Sequence, residues 1–342
     1  MGAFDRDGVV VAPVVQTAGM RAVVCSSFGP PSGLTVEERP DPVPAAGGVV
    51  VAVEAAGVNY VDGLFVAGKY QIKPPLPFVP GNEAAGTVAA VGDGVERWRA
   101  GDRVLVSVGL GAFASAVPAR AEALAAVPDQ LSSAAAAAFT QSYCTALFAL
   151  RDRARLAAGE RLLVLGAAGG VGIAAIQVGK AMGASVIAAA SSPARLARCV
   201  EAGADATIDY STADLKDAAR EASGGGVDVV FDPVGHDLTE PALRALREFG
   251  RVCVIGFARG DIPRLPANQV LLRNRAVVGV DWGAWGMQNP DAQRALLADA
   301  LGMVAAGTLR PPEPTAYPLD RAGDALADLL EHRLVGKAVL VP

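Results

Sequence analysis

Between residues 160 and 282 short apolar runs alternate with amphipathic stretches. The apolar runs fall at 161–165, 185–190, 227–231 and 251–256, and helical spacing of apolar positions appears at 193–202, 213–222 and 239–248. Continuous apolar runs suit strands buried on both faces, and each parallel crossover needs a helix, so this alternation predicts an α/β fold with a doubly wound parallel sheet. A further run at 276–280 predicts a last strand at the sheet edge. Residues 20–130 are richer in strands: MRAVVCSSFG starts at Met20, and 49–53, 84–91 and 103–108 are apolar runs bounded by Gly, Pro and Asp. The segment PPLPFVPG at 74–81 predicts an extended loop, because each proline restricts the residue before it. Ser132 and Ser133 stand where they can cap a helix in the alanine run 134–138, and 145–154 predicts a second helix. Residues 291–306 and 321–332 predict helices and 337–341 a final strand, with the C-terminal part returning to the first domain.

The chemistry concentrates at 161–188, RLLVLGAAGGVGIAAIQVGKAMGASVIA. A strand at 161–165 runs into a glycine-rich turn, Gly166 to Gly172; a small-residue helix at 173–182 comes next, with Gly183 as its C-terminal stop, and a second strand at 185–190 completes a βαβ unit. From Ala167 the turn reads A-x-G-x-x-G, alanine replacing the first glycine of a dinucleotide fingerprint. Gly169 lets the backbone approach a pyrophosphate, Gly172 lets the helix pack closely, and the helix N-terminus presents free N–H groups to phosphate. At the end of the second strand stand Ser191, Ser192, Pro193, Ala194 and Arg195, with no acid before Glu201. A carboxylate there would take a ribose 2′-hydroxyl; two hydroxyls and a guanidinium suit a 2′-phosphate, so NADPH is the expected coenzyme.

Composition narrows the rest. At 342 residues the chain holds two domains, 52% of it is apolar and its net charge is −5, with no basic block of the kind that binds nucleic acid or anionic lipid. No run of 18 apolar residues exists, so no membrane span is expected. Cys25, Cys144, Cys199 and Cys253 are far apart and predict buried thiols in a reducing compartment, the cytoplasm. Two histidines are too few for a histidine-built metal site. Residues 1–19 are unlike the strand-rich chain that begins at Met20: the apolar stretch 9–15 is interrupted by Pro13 and preceded by Asp5 and Asp7, which does not suit a signal peptide, so a loose leader is expected.

Seven segments carry a family resemblance: GVNYVDGLFVAGKY (57–70), LPFVPGNEAAGTVAAVGDGV (76–95), GDRV (101–104), GAAGGVG (166–172), TIDYS (207–211), VDVVFDPVG (227–235) and GKAVLVP (336–342). Through them residues 20–342 resemble the medium-chain dehydrogenase/reductase superfamily, and within it the zinc-free quinone oxidoreductase group similar to zeta-crystallin. The resemblance implies a strand-rich GroES-like catalytic domain at 20–143 and 283–342 around a Rossmann NADPH-binding domain at 144–282. The three places that hold catalytic zinc in the alcohol dehydrogenases of the superfamily fall on Asn59, Asn82 and Gln141. Carboxamides are poor Zn²⁺ ligands and the four-cysteine structural lobe is missing, so no metal is expected; Glu83 alone does not make a site.

The resemblance also assigns residues. Asn59 and Asp62 are implied near the nicotinamide as the groups that polarise the substrate carbonyl; Asn59 either donates its amide N–H to a developing oxyanion or only holds the turn and the nicotinamide ribose. Tyr70 matches a tyrosine lining the quinone site, while Leu64 stands where a second is found; Tyr60 is expected to pack. Coenzyme contacts are implied for Asn59 and Thr145, for Gly169, Gly170 and Val171 at the pyrophosphate, for Ser192, Arg195 and Tyr210 at the 2′-phosphate, for Gly256 and Phe257 at the nicotinamide ribose, and for Lys337. Lys180 reads as a solvated helix residue, Asp232 and Pro233 as turn formers, and His236 has no assigned role. Trp282 and Trp285 are expected at the cleft border or in dimer packing. The activity implied is an NADPH-dependent reductase passing hydride to a small-molecule quinone or electron-poor enone, with water or Tyr70 supplying the proton. The partner expected is a second copy of the chain along the edge strand; no nucleic acid or membrane partner is expected. Two other readings stay open: an acryloyl-CoA-like or alkenal double-bond reductase, for which Lys69 and Lys73 are the obvious basic residues near the pocket, and a non-catalytic NADPH-binding protein, structural or RNA-associated, against which the acidic balance counts.

Overall fold

A computed structural model describes residues 19–342. The leader expected at 1–19 lies, apart from Gly19, outside the described residues.

The parallel sheet forms as the apolar alternation predicts. Its six strands run in the order Ala206–Asp209, Ser185–Ala190, Arg161–Leu165, Val227–Asp232, Leu246–Val254, Ala276–Gly279, each parallel to its neighbours. In chain order that is 3-2-1-4-5-6, the doubly wound arrangement. The order reverses between Arg161–Leu165 and Val227–Asp232, so the crevice at the carboxyl ends of these two strands is where the fold leaves room for a ligand. Leu162, Leu163, Val164 and Leu165 are wholly buried, as are Val229, Val230 and Phe231 beside them.

The other large sheet is mainly antiparallel, in the order Thr315–Pro318, Ala338–Val341, Gly48–Val58, Glu83–Val91, Arg103–Ser107, Leu124–Ala126, with Ala116–Arg120 pairing along Gly48–Val58. Met20–Val24 pairs with Thr35–Arg39 beside it. The apolar run at 49–53 marks only the middle of the 11-residue strand Gly48–Val58, which continues through the small residues Ala55, Ala56 and Gly57. The last strand, Ala338–Val341, pairs with Ala56–Val58 and so carries the C-terminus back to this sheet.

Several boundaries differ from expectation for identifiable reasons. The helix expected at 239–248 is Thr239–Ala245, and Leu246 already belongs to a strand. The Arg275 guanidinium donates to the carbonyls of Arg244 (3.1 Å) and Leu246 (2.7 Å), which ends the helix there. The strand expected at 251–256 stops at Val254, leaving Gly256 and Phe257 in the loop beyond. The helix expected at 145–154 begins at Thr140, runs to Leu147 and continues as a π-helical turn over Phe148–Arg153. Ser132 does cap its helix, accepting from the Ala135 N–H at 3.0 Å. Short polar or mixed strands such as Thr35–Arg39 and Thr315–Pro318 show no apolar run to find.

Helix Pro290–Ala305 buries Leu296, Ala300 and Val304 in the same core as Leu162, Val164 and Ile176. Trp285 stacks on Phe148 with ring centroids 4.5 Å apart, and Trp282 Nε1 donates to Gln293 Oε1 at 2.6 Å. Both tryptophans therefore have packing partners within their own chain. All four cysteines are buried and free. No helix among the described residues is long and apolar enough to cross a membrane.

Helix Gly170–Ala181 lies so close to the preceding turn that a Cβ on Gly172 would sit 2.6 Å from the Gly166 carbonyl oxygen and 2.7 Å from Ala167 backbone atoms. Backbone cannot swing aside as a side chain can. Gly172→Ala should therefore lower folding stability by about 1–3 kcal/mol, read as a drop in thermal midpoint; an unchanged midpoint would mean that the turn has slack.

Candidate active site

Four chain segments converge where one end of the antiparallel sheet meets the glycine-rich turn. Asn59 follows Gly48–Val58, Glu83 starts Glu83–Val91, Gln141 lies in the first turn of Thr140–Leu147, and Lys337 precedes Ala338–Val341. Strand pairing sets them side by side, since Gly57 pairs with Glu83 and Val58 with Ala338. Gly57 is required for this: a Cβ there would sit 2.2 Å from the Ala137 carbonyl oxygen and 2.7 Å from Glu83 Oε1.

The three carboxamides at the zinc places touch one another. Asn59 Nδ2 donates to Asn82 Oδ1 at 3.1 Å, and Asn82 Nδ2 donates to Gln141 Oε1 at 3.1 Å. Glu83, to which no motif assigned a role, is the common acceptor: Asn59 Nδ2 reaches its Oε1 at 2.9 Å, Lys337 Nζ the same oxygen at 3.2 Å, and the Gln141 N–H its Oε2 at 2.9 Å. Lys337 Nζ also donates to Asn59 Oδ1 and to the Val58 carbonyl at 3.2 Å. Among the described residues no three His, Cys, Asp or Glu side chains gather as a metal site would need.

Asp62 lies in the first turn of helix Tyr60–Val66 and is wholly buried. Its Oδ2 accepts the Asn59 N–H at 2.8 Å, and its Oδ1 has no partner. Burial pushes its carboxyl up to about 7, a rise that the charge on Glu83 supports while the Asn59 N–H and Lys337 oppose it. Tyr70 stands apart, its ring 4.6 Å from that of Phe65. Burial, and after it the charge on Asp281, raises its phenol above the ordinary value, so Tyr70 is poorly suited to give up a proton at neutral pH.

Of the expected coenzyme residues, Gly169, Gly170, Val171, Ser192, Tyr210, Gly256 and Phe257 follow the carboxyl ends of parallel-sheet strands. Gly169 precedes the 12-residue helix Gly170–Ala181, whose first N–H groups lack intrahelical acceptors. A Cβ on Gly169 would meet nothing closer than the Gly166 oxygen at 3.4 Å, and the buried Ser142 hydroxyl beside Gly170 has no partner. A turn with open space, unpaired donors and an orphaned hydroxyl fits a diphosphate. Ser142 was missed in the sequence, where a serine in a helix carries no signal. The Lys337 stem crosses this turn, a Cβ on Gly170 lying 2.4 Å from its Cδ, and the Gly336 N–H donates to the Ala168 carbonyl at 2.8 Å.

Ser192 and Tyr210 follow the adjacent strands Ser185–Ala190 and Ala206–Asp209, and neither hydroxyl has a hydrogen-bond partner among the described residues. Arg195, one turn into helix Pro193–Glu201, donates to the His332 carbonyl in the loop before the last strand. Thr145 Oγ1 donates to the Gln141 carbonyl at 2.6 Å. Phe257 packs on Gly235, where a Cβ would lie 2.9 Å from its Cδ1. Asp232 shapes that turn, its carboxylate accepting from Val234 N and Gly235 N, both at 2.9 Å, and from Thr239 Oγ1 at 2.6 Å. Lys180, expected as a solvated helix residue, pairs at the surface with Asp205 at 2.7 Å.

Asp62 holds its proton more tightly folded than unfolded, so its stabilising effect is full below about pH 4 and is lost as pH rises towards 7. Relative to wild type, Asp62→Asn should gain thermal stability steadily as the buffer goes from pH 4 to 7. A stability difference that stays flat across that window would count against a buried neutral carboxyl.

The chain is similar to known proteins along most of its length. Residues 45–129 match the alcohol dehydrogenase GroES-like domain family and residues 170–298 the zinc-binding dehydrogenase family. A quinone oxidoreductase-like protein 2 homolog of Nematostella vectensis is 36% identical over 324 residues, 94% of this chain and 88% of the relative. A probable oxidoreductase from Mycobacterium abscessus is 38% identical in sequence and superposes with a TM-score of 0.85, covering 94% of this chain and 99% of its own. The Escherichia coli quinone oxidoreductase, solved in complex with NADPH, is 30% identical with a TM-score of 0.84 over 94% of this chain and all of its own (100%).

Proposed function

The chain belongs to the medium-chain dehydrogenase/reductase superfamily, in its quinone oxidoreductase-like group, and from that premise we propose that it is an NADPH-dependent, metal-independent reductase of quinones or electron-poor enones. The observation that carries the reading is the replacement of all three zinc places by mutually hydrogen-bonded carboxamides beside a diphosphate-ready turn. Gly169, Gly170 and Val171 hold the pyrophosphate through backbone N–H groups, with the Lys337 stem across the turn. Ser192, Arg195 and Tyr210 hold the adenosine 2′-phosphate, the guanidinium supplying the charge. Thr145, Gly256 and Phe257 border the nicotinamide end. When bound, the coenzyme supplies hydride; the protein contributes position and a low-dielectric setting.

Asn59 and Asp62 support the reacting centre from below. Both donor directions of the Asn59 amide are taken, by Asn82, Glu83 and, at 3.4 Å, the Gly57 carbonyl, which favours the holding role over direct donation to substrate. Tyr70 forms a wall with Phe65, and water delivers the proton. A second copy pairs along Ala276–Gly279, the outermost strand of its sheet, which lies next to the exposed Leu271, Leu272, Val277 and Met287.

Oxidation of NADPH in the presence of 1,4-benzoquinone or a simple enone tests the activity, and no turnover on either would end the reading. Arg195→Ala should raise the NADPH dissociation constant about 10- to 100-fold and leave NADH nearly unchanged, as the loss of a charged hydrogen bond requires. Light scattering should give a dimer's mass, and Val277→Asp should shift it towards the monomer; a monomeric wild type at micromolar concentration would dismiss the edge pairing.

A further inference from the structure

The hydrogen bonds among the carboxamides have a direction, and chemistry enforces it. An ammonium donates and cannot accept, so Asn59 must turn Oδ1 to Lys337 and Nδ2 away from it. That Nδ2 then donates to Asn82 Oδ1, which leaves Asn82 Nδ2 to donate to Gln141 Oε1, each at 3.1 Å. The amide of Gln141 is thereby fixed with Nε2 outermost. Nε2 has no acceptor among the described residues, and Gln141 is only partly buried. The backbone beneath it is clamped: the Gln141 N–H donates to Glu83 Oε2 at 2.9 Å and its carbonyl accepts Thr145 Oγ1 at 2.6 Å.

We propose that Gln141 is the catalytic electrophile, its Nε2 N–H taking the substrate carbonyl oxygen, with Lys337, Asn59 and Asn82 as positioning residues behind it. This rests on the reductase reading and names the group that does the metal's work in it. Three amide dipoles aligned head to tail from an ammonium polarise one another, so the terminal N–H is a stronger donor than that of an isolated amide. Hydride, which the coenzyme would supply when bound, would add to the carbon β to the substrate carbonyl; as that C–H bond forms, the C=C π electrons shift towards the carbonyl carbon and the C=O π electrons move onto oxygen. The resulting enolate would be held by the Gln141 N–H and then protonated by water, the enolate from a quinone tautomerising to the hydroquinone. The relay is a fixed donor aimed at charge that appears only during the reaction, which is where such a group lowers a barrier.

The experiment is steady-state kinetics of the full-length protein with 1,4-benzoquinone and an enone, together with NADPH dissociation constants from fluorescence quenching. Gln141→Leu and the length-matched Gln141→Met should each lower kcat/KM about 10²-fold, the typical loss of one oxyanion donor, with NADPH affinity within about twofold. Asn82→Leu should cost a similar factor, and the double variant with Gln141→Leu should lose no more than the worse single change, because both cut one chain. Gln141 variants that keep wild-type kcat/KM, or losses that multiply in the double variant, would falsify the relay. A wild type that turns over neither substrate removes the reductase reading and this proposal with it, whereas wild-type turnover with unaffected Gln141 variants removes this proposal alone.

Discussion

The buried pair of Lys337 and Glu83, 3.2 Å apart with side chains 13% and 3% exposed, sets the terms for the rest of the molecule. Taking two opposite charges out of water costs several kcal/mol per ion, and their attraction offsets this only when every remaining donor and acceptor is filled. Here the filling groups come from distant parts of the chain: the Val58 carbonyl and Asn59 from one strand end, Glu83 from the next, the Gln141 backbone from helix Thr140–Leu147, and Lys337 from the last six residues. The cluster can form in only one strand register, with Gly57 opposite Glu83 and Ala338 opposite Val58. A slip of one residue would turn each of these side chains to the other face and strand a charge in the core. The same contacts that assemble the site therefore also select the return path of the C-terminus.

That return path explains how residues 331–337 serve the whole groove. Within this short loop His332 offers its carbonyl to Arg195 in helix Pro193–Glu201, the Gly336 N–H binds the Ala168 carbonyl beside the glycine-rich turn, and Lys337 reaches the carboxamides. A single loop thus touches the three places that a dinucleotide would span. Its positions derive from the strand pairing of Ala338–Val341, which lies directly after it, so the geometry of the groove is inherited from a sheet on the other side of the cleft.

The parallel sheet was legible because burial on both faces writes itself into sequence as unbroken apolar runs, and the glycine-rich turn because Gly172 answers a steric demand that no other residue meets. Ends of elements were less legible. Helix Thr239–Ala245 stops where it does because of Arg275, some thirty residues downstream, and no local signal announces that. The site was half readable. Motif matching put Asn59, Asn82 and Gln141 at three related places, but as the absence of ligands rather than as partners, because a carboxamide's function depends on which way it faces and what it faces. Glu83 looked isolated in sequence and Ser142 looked ordinary; only three-dimensional neighbours make one a hub and the other an orphaned hydroxyl. The residues expected at a 2′-phosphate, Ser192, Arg195 and Tyr210, are all partly buried, and Arg195 is held by a carbonyl that no motif foretells.

The charge balance of the cluster decides whether an amide relay can work at all. If Asp62 and Glu83 were both ionised, two negative charges would face one ammonium, and the excess would oppose charge building on a substrate oxygen nearby. Asp62 escapes this below about pH 7, because it is wholly buried, with one oxygen unpartnered, and its carboxyl is raised to about 7. The neutral form leaves one cation and one anion, and the field that the carboxamides carry outward is then the cation's rather than that of a second carboxylate. A metal ion would bring its own surplus of positive charge and tolerate such a neighbour. An ammonium already paired with Glu83 has none to spare, so discharging Asp62 by burial is the condition under which Asn59, Asn82 and Gln141 can transmit any positive potential to the cleft.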